Sequence, residues 1–576
     1  MSTRILLHEP EAGTWLDFSQ PIDVLVATRP DDVLPVLAET ERRVESEGLW
    51  AAGFVSFAAA SGLNPSLVAL ADPDVPLVCL GLFPEPERVP RPCSPVPAPR
   101  VDWRASEAFG EYVEKIREIK RQIALGNTYQ INYTLRLETC ESLDPWQLFA
   151  GIATDAPYGA FLECGDLAIV SASPELFFRR DGRSITCRPM KGTVHRGMTQ
   201  EADLALRDEL LASAKCQAEN IMITDMVRND LGRIAAPGSV RTTGLLAAEK
   251  YATVWQLTST VTADSDAPTS EVMRALFPCA SVTGAPKVSS MAIIAGLEGN
   301  PRGIYTGAIG YLRPGRRAQF NVAIRTAVVN RVTGVTNYGI GGGIVWDSDA
   351  QQEYAECLLK ARILQAETAG RDFRLLETTR WTPAEGYALL DEHLARMADS
   401  ADYFDFDFDD EKIRDELEER SRAFPRTAQR VRMLLSASGV LDLATSPLNA
   451  QPAAPVRLKL AAAPVRIDDP FLYHKTTRRD VYDDARASVD DCDEVLLWNG
   501  DGYLTEASIA NIAVNIGGRW YTPPQECGLL AGTWRGKLLA SGEVEQRRIR
   551  VDEVAVGAEL LLFNSVRGVY RGVLVD

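Results

Sequence analysis

A helical pattern, AECLLKARILQAET, stops at Ala369-Gly370-Arg371-Asp372, and a strand-like run, FRLLET, begins at Phe373. Gly370 suits a helix C-cap, so the break divides the chain into two units that must each bury a core, 1–368 and 372–576. Upstream, strand-like TYQINYTLRLE, DLAIVSAS, ELFFRR and SITCRP alternate with the helical patterns EYVEKIREIKRQIALG and ALRDELLASAKCQAENIMITDMV. Downstream, helical ALLDEHLARMADSADYF precedes the strands VRMLLSAS, VRLKLAAA, DEVLLWN and IANIAVNI. Both halves read as α+β, with no internal repeat. The proline-rich PEPERVPRPCSPVPAPR reads as a loop, separating an N-terminal sheet region, 1–100, from a core over 101–365.

Composition narrows the partners. The net charge of −18 repels phosphate backbones and anionic lipid, so neither nucleic acid nor a membrane surface is expected. Glu9 and Glu11 precede any signal-like apolar stretch, and no run approaches 18 apolar residues. Ten cysteines without a C-x-x-C pair, beside four histidines, support neither a zinc site nor a disulfide framework. A cytoplasmic protein with free thiols is the expectation.

Several residues carry possible chemistry. Lys191 falls in a tight Lys-Gly-Thr turn, where a nucleophilic role needs a depressed pKa; otherwise it is a surface lysine. Glu219 sits among Ile221, Met222 and Met226, a half-buried carboxylate in need of a partner. Glu353 and Glu356 share a helical face, and carboxylates from two helices suit Mg²⁺. The plainer alternative is an ion pair of Glu356 with Lys360. The glycines of YGIGGGIVWDSD, read as following a strand, let backbone N–H groups approach an anion. In the second half, Lys475, Glu506 and a helix start at Gly532-Thr533 make a lysine, a carboxylate and an anion cradle, to which Arg396 adds a planar two-pronged phosphate contact.

Nine strings, in order, carry a resemblance: GNTYQINYT, SASPELFF, RPMKGT, AENIMITDMVRNDLGR, SVTGAPK, RGIYTGAIGY, FNVAIRT, GIGGGIVWDSD and EYAECLLKAR. Residues 100 to 365 resemble the chorismate-utilising family, and GLWAAGFVSFAAASGLNPSL is similar to its N-terminal sheet. The resemblance implies an αββα sandwich. It also implies Mg²⁺ on Glu219 and Glu356 with Glu353 assisting through water, and chorismate carboxylates held by Tyr305, Arg325, Lys360 and the amides of Gly341, Gly342 and Gly343, with Thr283 lining the pocket. Cys216 stands where several relatives have an acidic residue.

Three positions sort the members of that family. Gln130 replaces the general-base lysine of isochorismate-forming relatives, Lys191 replaces the alanine of anthranilate synthases, and Gln256 replaces a histidine that serves pyruvate elimination. All three point to the aminodeoxychorismate-forming branch, in which Lys191 attacks carbon 2 of chorismate and ammonia follows at carbon 4. No glutaminase-type nucleophile elbow surrounds any cysteine, so a separate glutamine amidotransferase is the expected ammonia donor.

The order LLETTR, HLARM, Lys475, TEASIANI, LLAGTWR and FNSVRG resembles fold-type IV pyridoxal phosphate enzymes, over 372–576. That resemblance implies pyridoxal 5'-phosphate on Lys475, its ring nitrogen on Glu506, its phosphate on Arg396, Gly532 and Thr533, and a homodimer through this domain. The pairing of families implies two steps in sequence, chorismate amination and then pyruvate loss to 4-aminobenzoate.

Overall fold

The computed structural model describes residues 4–94, 96, 99, 101–251, 253–365, 373–448 and 454–576. Gly370, the expected cap, lies outside them. Two compact units emerge, one of Met1–His195 with Arg207–Thr368, the other of Arg196–Leu206 with Ala369–Asp576.

The first unit has two ten-stranded antiparallel sheets. One contains Gln130–Thr139, Thr336–Ile344, Thr326–Asn330, Leu167–Ser173, Tyr158–Cys164 and Arg4–Glu9 as successive neighbours. The other runs from Met190–His195 through Val254–Asp264, Ser184–Cys187, Leu176–Asp181, Arg317–Val322 and Ala308–Arg313 to Trp50–Val55 and Val78–Phe83. Alternation of side chains along each strand gives both sheets two apolar faces. Between the sheets lie Leu7, Phe18, Leu162 and Ile169 from one, and Trp50, Phe54, Ile309 and Tyr311 from the other. The outer face of the first sheet packs on Phe109–Ala124 and Pro145–Ile152 through Tyr112, Ile116 and Phe149. That of the second packs on Pro30–Glu47, Ala214–Gly232 and Thr269–Leu276 through Val33, Ile223 and Met273. The layers are therefore helix, sheet, sheet, helix.

Four local readings differ from this outcome. Glu87–Val89, inside the proline-rich stretch, forms a short strand on Thr14–Ser19; as an edge strand between Pro86 and Pro90 it needs few donors. The pattern from Ala205 to Val227 is broken at Ser213, whose hydroxyl accepts from the Cys216 amide and caps a new helix. Lys191 lies in the strand Met190–His195, and the irregularity expected as a turn is a register shift around Gly192, at φ +90°. The glycine run does not follow a strand: Gly339 to Gly343 lie inside Thr336–Ile344, where Gly339 and Gly341 have backbone or ring atoms within 2.4 Å of where a Cβ would stand.

In the second unit a four-stranded sheet including Leu375–Thr382 and Gln429–Leu435 carries the helices Leu390–Phe404 and Asp410–Ser421. An eight-stranded sheet surrounds its own core of Leu458, Leu496, Ile512 and Leu562. Residues 196–206 are anchored here by Arg196, which pairs with Asp203, donates to the Tyr403 carbonyl at 3.0 Å and stacks on the Tyr403 ring.

Candidate active sites

In the first unit the strand Thr336–Ile344 brings the expected residues together. A Cβ on Gly343 would meet Gln130 Nε2 at 2.2 Å and Lys191 Nζ at 2.8 Å, so both side chains end over its Cα. One residue earlier, Gly342 faces Glu353 Oε2 and Lys360 Nζ, and the Lys360 ammonium donates to the Gly341 carbonyl at 2.9 Å. Tyr305 packs its ring on Gly339.

Charge at this site is balanced by lysines. The Lys360–Glu356 ion pair, the plainer reading of these two residues, is formed at 2.8 Å. Burial pushes the Glu356 carboxyl up, but Lys360 outweighs it and holds that pKa below its ordinary value. Glu353 accepts from the Ser348 hydroxyl at 2.7 Å and faces Lys215 at 3.6 Å. Glu219 has no hydrogen-bond partner among the described residues; burial raises its pKa against the pull of Lys191. Burial likewise lowers Lys191, whose Nζ also lacks a partner among the described residues. Arg325, at φ +50°, is a guanidinium without an ion pair among the described residues, its pKa lowered by burial.

A magnesium ion fits this donor set in a restricted form. Among the described residues no three His, Cys, Asp or Glu side chains gather into a metal cage, because Ser348, Lys215 and Lys360 already engage Glu353 and Glu356. Glu219 is the carboxylate left open, and Mg²⁺ takes one or two carboxylates with waters and substrate oxygens. Thr283 is fully buried, its hydroxyl within reach of the Cys279 and Ala280 carbonyls, and neither it nor Arg325 bonds to the Lys191 cluster. Cys216 lies against Gly192, and Gln256 donates to the Thr193 hydroxyl, so both line the strand that carries Lys191.

Sequence reasoning missed Glu175, which stands in SASPELFF. It is 2% exposed, accepts from the Ser281 hydroxyl at 2.6 Å and feels Lys191. Burial pushes its carboxyl up to about 7. An acidic residue closing an apolar strand after proline was its only signal.

In the second unit Lys475 follows the turn Pro470–Leu472, and its carbonyl accepts from the Leu376 amide. Burial, helped by Arg396, lowers its ammonium to about 8, and its Nζ has no hydrogen-bond partner among the described residues. Glu506 accepts from Tyr482 Oη at 2.8 Å, Asn511 Nδ2 at 3.0 Å and the Leu530 amide at 3.0 Å; burial raises it to about 7. Gly532 caps the helix Thr533–Ala540, and a Cβ there would meet Asn511 Oδ1 at 2.0 Å. Glu377, Tyr482 and Asn511 escaped the sequence reading. Arg396 has protein partners that the sequence did not show: its Nε and Nη2 bond to Glu377, which His393 Nδ1 also meets at 2.5 Å, and its Nη1 donates to the Ala531 carbonyl. These bonds use three of the five guanidinium N–H donors and fix the orientation of the group. The unpartnered lysine, the raised carboxyl and the crowded glycine at a helix start fit pyridoxal phosphate.

A family model for the chorismate binding enzyme matches residues 2–366, and one for amino-transferase class IV matches residues 374–574. The chain is 42% identical over 272 residues to an aminodeoxychorismate synthase of Streptomyces griseus, covering 45% of this chain and 37% of that protein. It is 38% identical over 263 residues to aminodeoxychorismate synthase component 1 of Bacillus subtilis, covering 45% of this chain and 55% of that one. The chain thus spans about a third to a half of these relatives. The fold matches anthranilate synthase component I from Streptococcus pneumoniae at TM-score 0.51 and 24% identity, covering 64% of this chain and 92% of that one. By the match over 2–366, the chain belongs to the chorismate binding enzyme family, and carries a class IV aminotransferase domain behind it.

Proposed function

We propose that the chain makes 4-aminobenzoate in two steps, amination of chorismate in the first unit and loss of pyruvate in the second. The observation that carries this reading is the pair of lysines, Lys191 and Lys475, each lowered by burial and each with a nitrogen that bonds to no described residue. A lysine kept this way is a nucleophile in waiting. The relatives' names point to the same first step.

In the first unit Arg325 and Lys360 supply positive charge for the chorismate carboxylates, and the glycines keep the strand bare for them. Lys191 attacks carbon 2; both ring double bonds shift by one position, and the 4-hydroxyl leaves as water on a proton from Glu175. Ammonia then attacks carbon 4, both double bonds shift back, the carbon 2–nitrogen bond breaks and Lys191 leaves as the free amine. The sum is chorismate and ammonia to aminodeoxychorismate and water. Glu219 would hold magnesium, with Glu356 joining it only on release from Lys360, and the ion would supply positive charge for the ring carboxylate. Ammonia would come from a separate glutamine amidotransferase.

In the second unit Lys475 would hold pyridoxal phosphate, which supplies an electron sink when bound. Glu506 keeps the ring nitrogen protonated, and Tyr482 and Asn511 fix that carboxylate in place. Lys475 takes the proton from the carbon that bears the substrate amine; the bond from the neighbouring ring carbon to the enolpyruvyl oxygen breaks, and the proton passes to the enolpyruvyl methylene, which leaves as pyruvate.

The test is incubation of the full chain with chorismate, Mg²⁺, pyridoxal phosphate and an ammonium salt. Aminodeoxychorismate and then 4-aminobenzoate are the expected products. Anthranilate as the aromatic product would overturn the first step, and aminodeoxychorismate accumulating without 4-aminobenzoate would overturn the second.

A further inference from the structure

Cys79 stands on Val78–Phe83 in one sheet of the first unit, and Cys164 ends Tyr158–Cys164 in the other. The two side chains meet across the inter-sheet core, with Sγ atoms 2.7 Å apart. That is well inside the roughly 3.5–4.0 Å of ordinary non-bonded contact. Little movement of either strand is needed to join them, whereas cysteines whose Cβ vectors diverge cannot be bridged. Nothing in the spacing of the ten cysteines marks this pair, because the two are 85 positions apart in sequence.

The two sulfurs are unequally placed. Cys79 is 5% exposed, while Cys164 is half-buried and leads into the hairpin turn at Gly165. Reagents from solvent reach Cys164 first. A hydrogen bond from Cys79 also lowers the Cys164 thiol below its ordinary value, and the same bond raises Cys79. The accessible sulfur is thus the more readily ionised one, and the sealed sulfur lies behind it as the resolving thiol.

We propose that Cys79 and Cys164 are a disulfide site, closed by a peroxide into a covalent bridge between the two sheets. The Cys164 thiolate attacks one oxygen of the peroxide; the O–O bond breaks, hydroxide leaves and Cys164 becomes a sulfenic acid. Cys79 sulfur then attacks that sulfur, the S–O bond breaks, and the departing oxygen leaves as water with the Cys79 proton. Two thiols lose two electrons, and one peroxide is reduced to two waters.

The test uses the full chain, exposed to hydrogen peroxide or to dithiothreitol, then alkylated, digested without reduction and mapped by mass spectrometry. A peptide pair joining Cys79 to Cys164 is expected only in the oxidised sample, with the thiol count of the denatured protein falling by at least two. The melting transition of the first unit should rise by about 5 °C on oxidation, since the closed loop is long. Cys164→Ser, at a half-buried position that tolerates the change, should show neither the peptide nor the rise. Cys164 found as an overoxidised acid, or Cys79 joined to another cysteine, would overturn the proposal. So would Cys79 and Cys164 recovered as alkylated thiols from both samples while exposed Cys93 and Cys140 are oxidised.

Discussion

Glu377 holds the Arg396 guanidinium through two hydrogen bonds, from Nε at 2.8 Å and from Nη2 at 2.7 Å. Both groups are withdrawn from solvent, Glu377 at 1% exposure. Removing one partner strands the other charge, so Glu377→Ala and Arg396→Ala should each cost about 3 kcal/mol of unfolding free energy in urea. The double variant should cost less than the two together, a deficit read from a double-mutant cycle. Burial pushes Glu377 up, but Arg396 and His393 hold it well below its ordinary 4.5. Its share of stability is therefore present above about pH 4.5 and is lost as the pH falls towards its folded value.

Gly343→Ala should separate folding from chemistry. The new methyl group would press on the tips of Gln130 and Lys191, both flexible, rather than on backbone. The fold should survive, with an unchanged melting curve, while chorismate turnover drops on the order of 100-fold through misplacement of Lys191. Conversion of added aminodeoxychorismate should be untouched.

Glu175 acts as an acid in the proposed first step, so it must carry its proton. With its carboxyl at about 7, the amination rate should fall as the pH rises through about 7, and Glu175→Gln should remove that limb along with most of the activity. A profile flat across this range in the wild-type chain would dismiss the assignment.

Lys191→Ala and Lys475→Ala should divide the two activities. The first should abolish amination and leave the second step intact. The second should leave amination intact and remove the visible absorbance of bound pyridoxal phosphate, as read by titration of the apo protein. Loss of both activities in either variant would mean a failure to fold.

The strands and helices were legible where one face was apolar and the other wet, as in Phe109–Ala124 and Gln429–Leu435, because periodicity reports burial. It does not report which backbone groups bond, so Lys191 read as a turn when it lies on a strand. Lys191, Lys475 and the glycines were legible as motif residues. Glu175 and Glu377 were not, since one is a lone carboxylate between two apolar strands and the other a lone carboxylate inside one, and only the fold sets Ser281 or Arg396 opposite it. The Glu377 partner of Arg396 was hidden for the same reason: it lies 19 residues away on another element.

Residues 196–206 give the chain a property that its linear order hides. Arg196, Asp203 and the Tyr403 ring above His474 form one buried stack in the C-terminal unit. Lys191 precedes that segment by only a few residues. No single cut can therefore release the two units as whole pieces: a polypeptide beginning at residue 372 would lack the buried Arg196–Asp203 pair that packs on Tyr403. Restoring it would take the missing segment as a separate peptide.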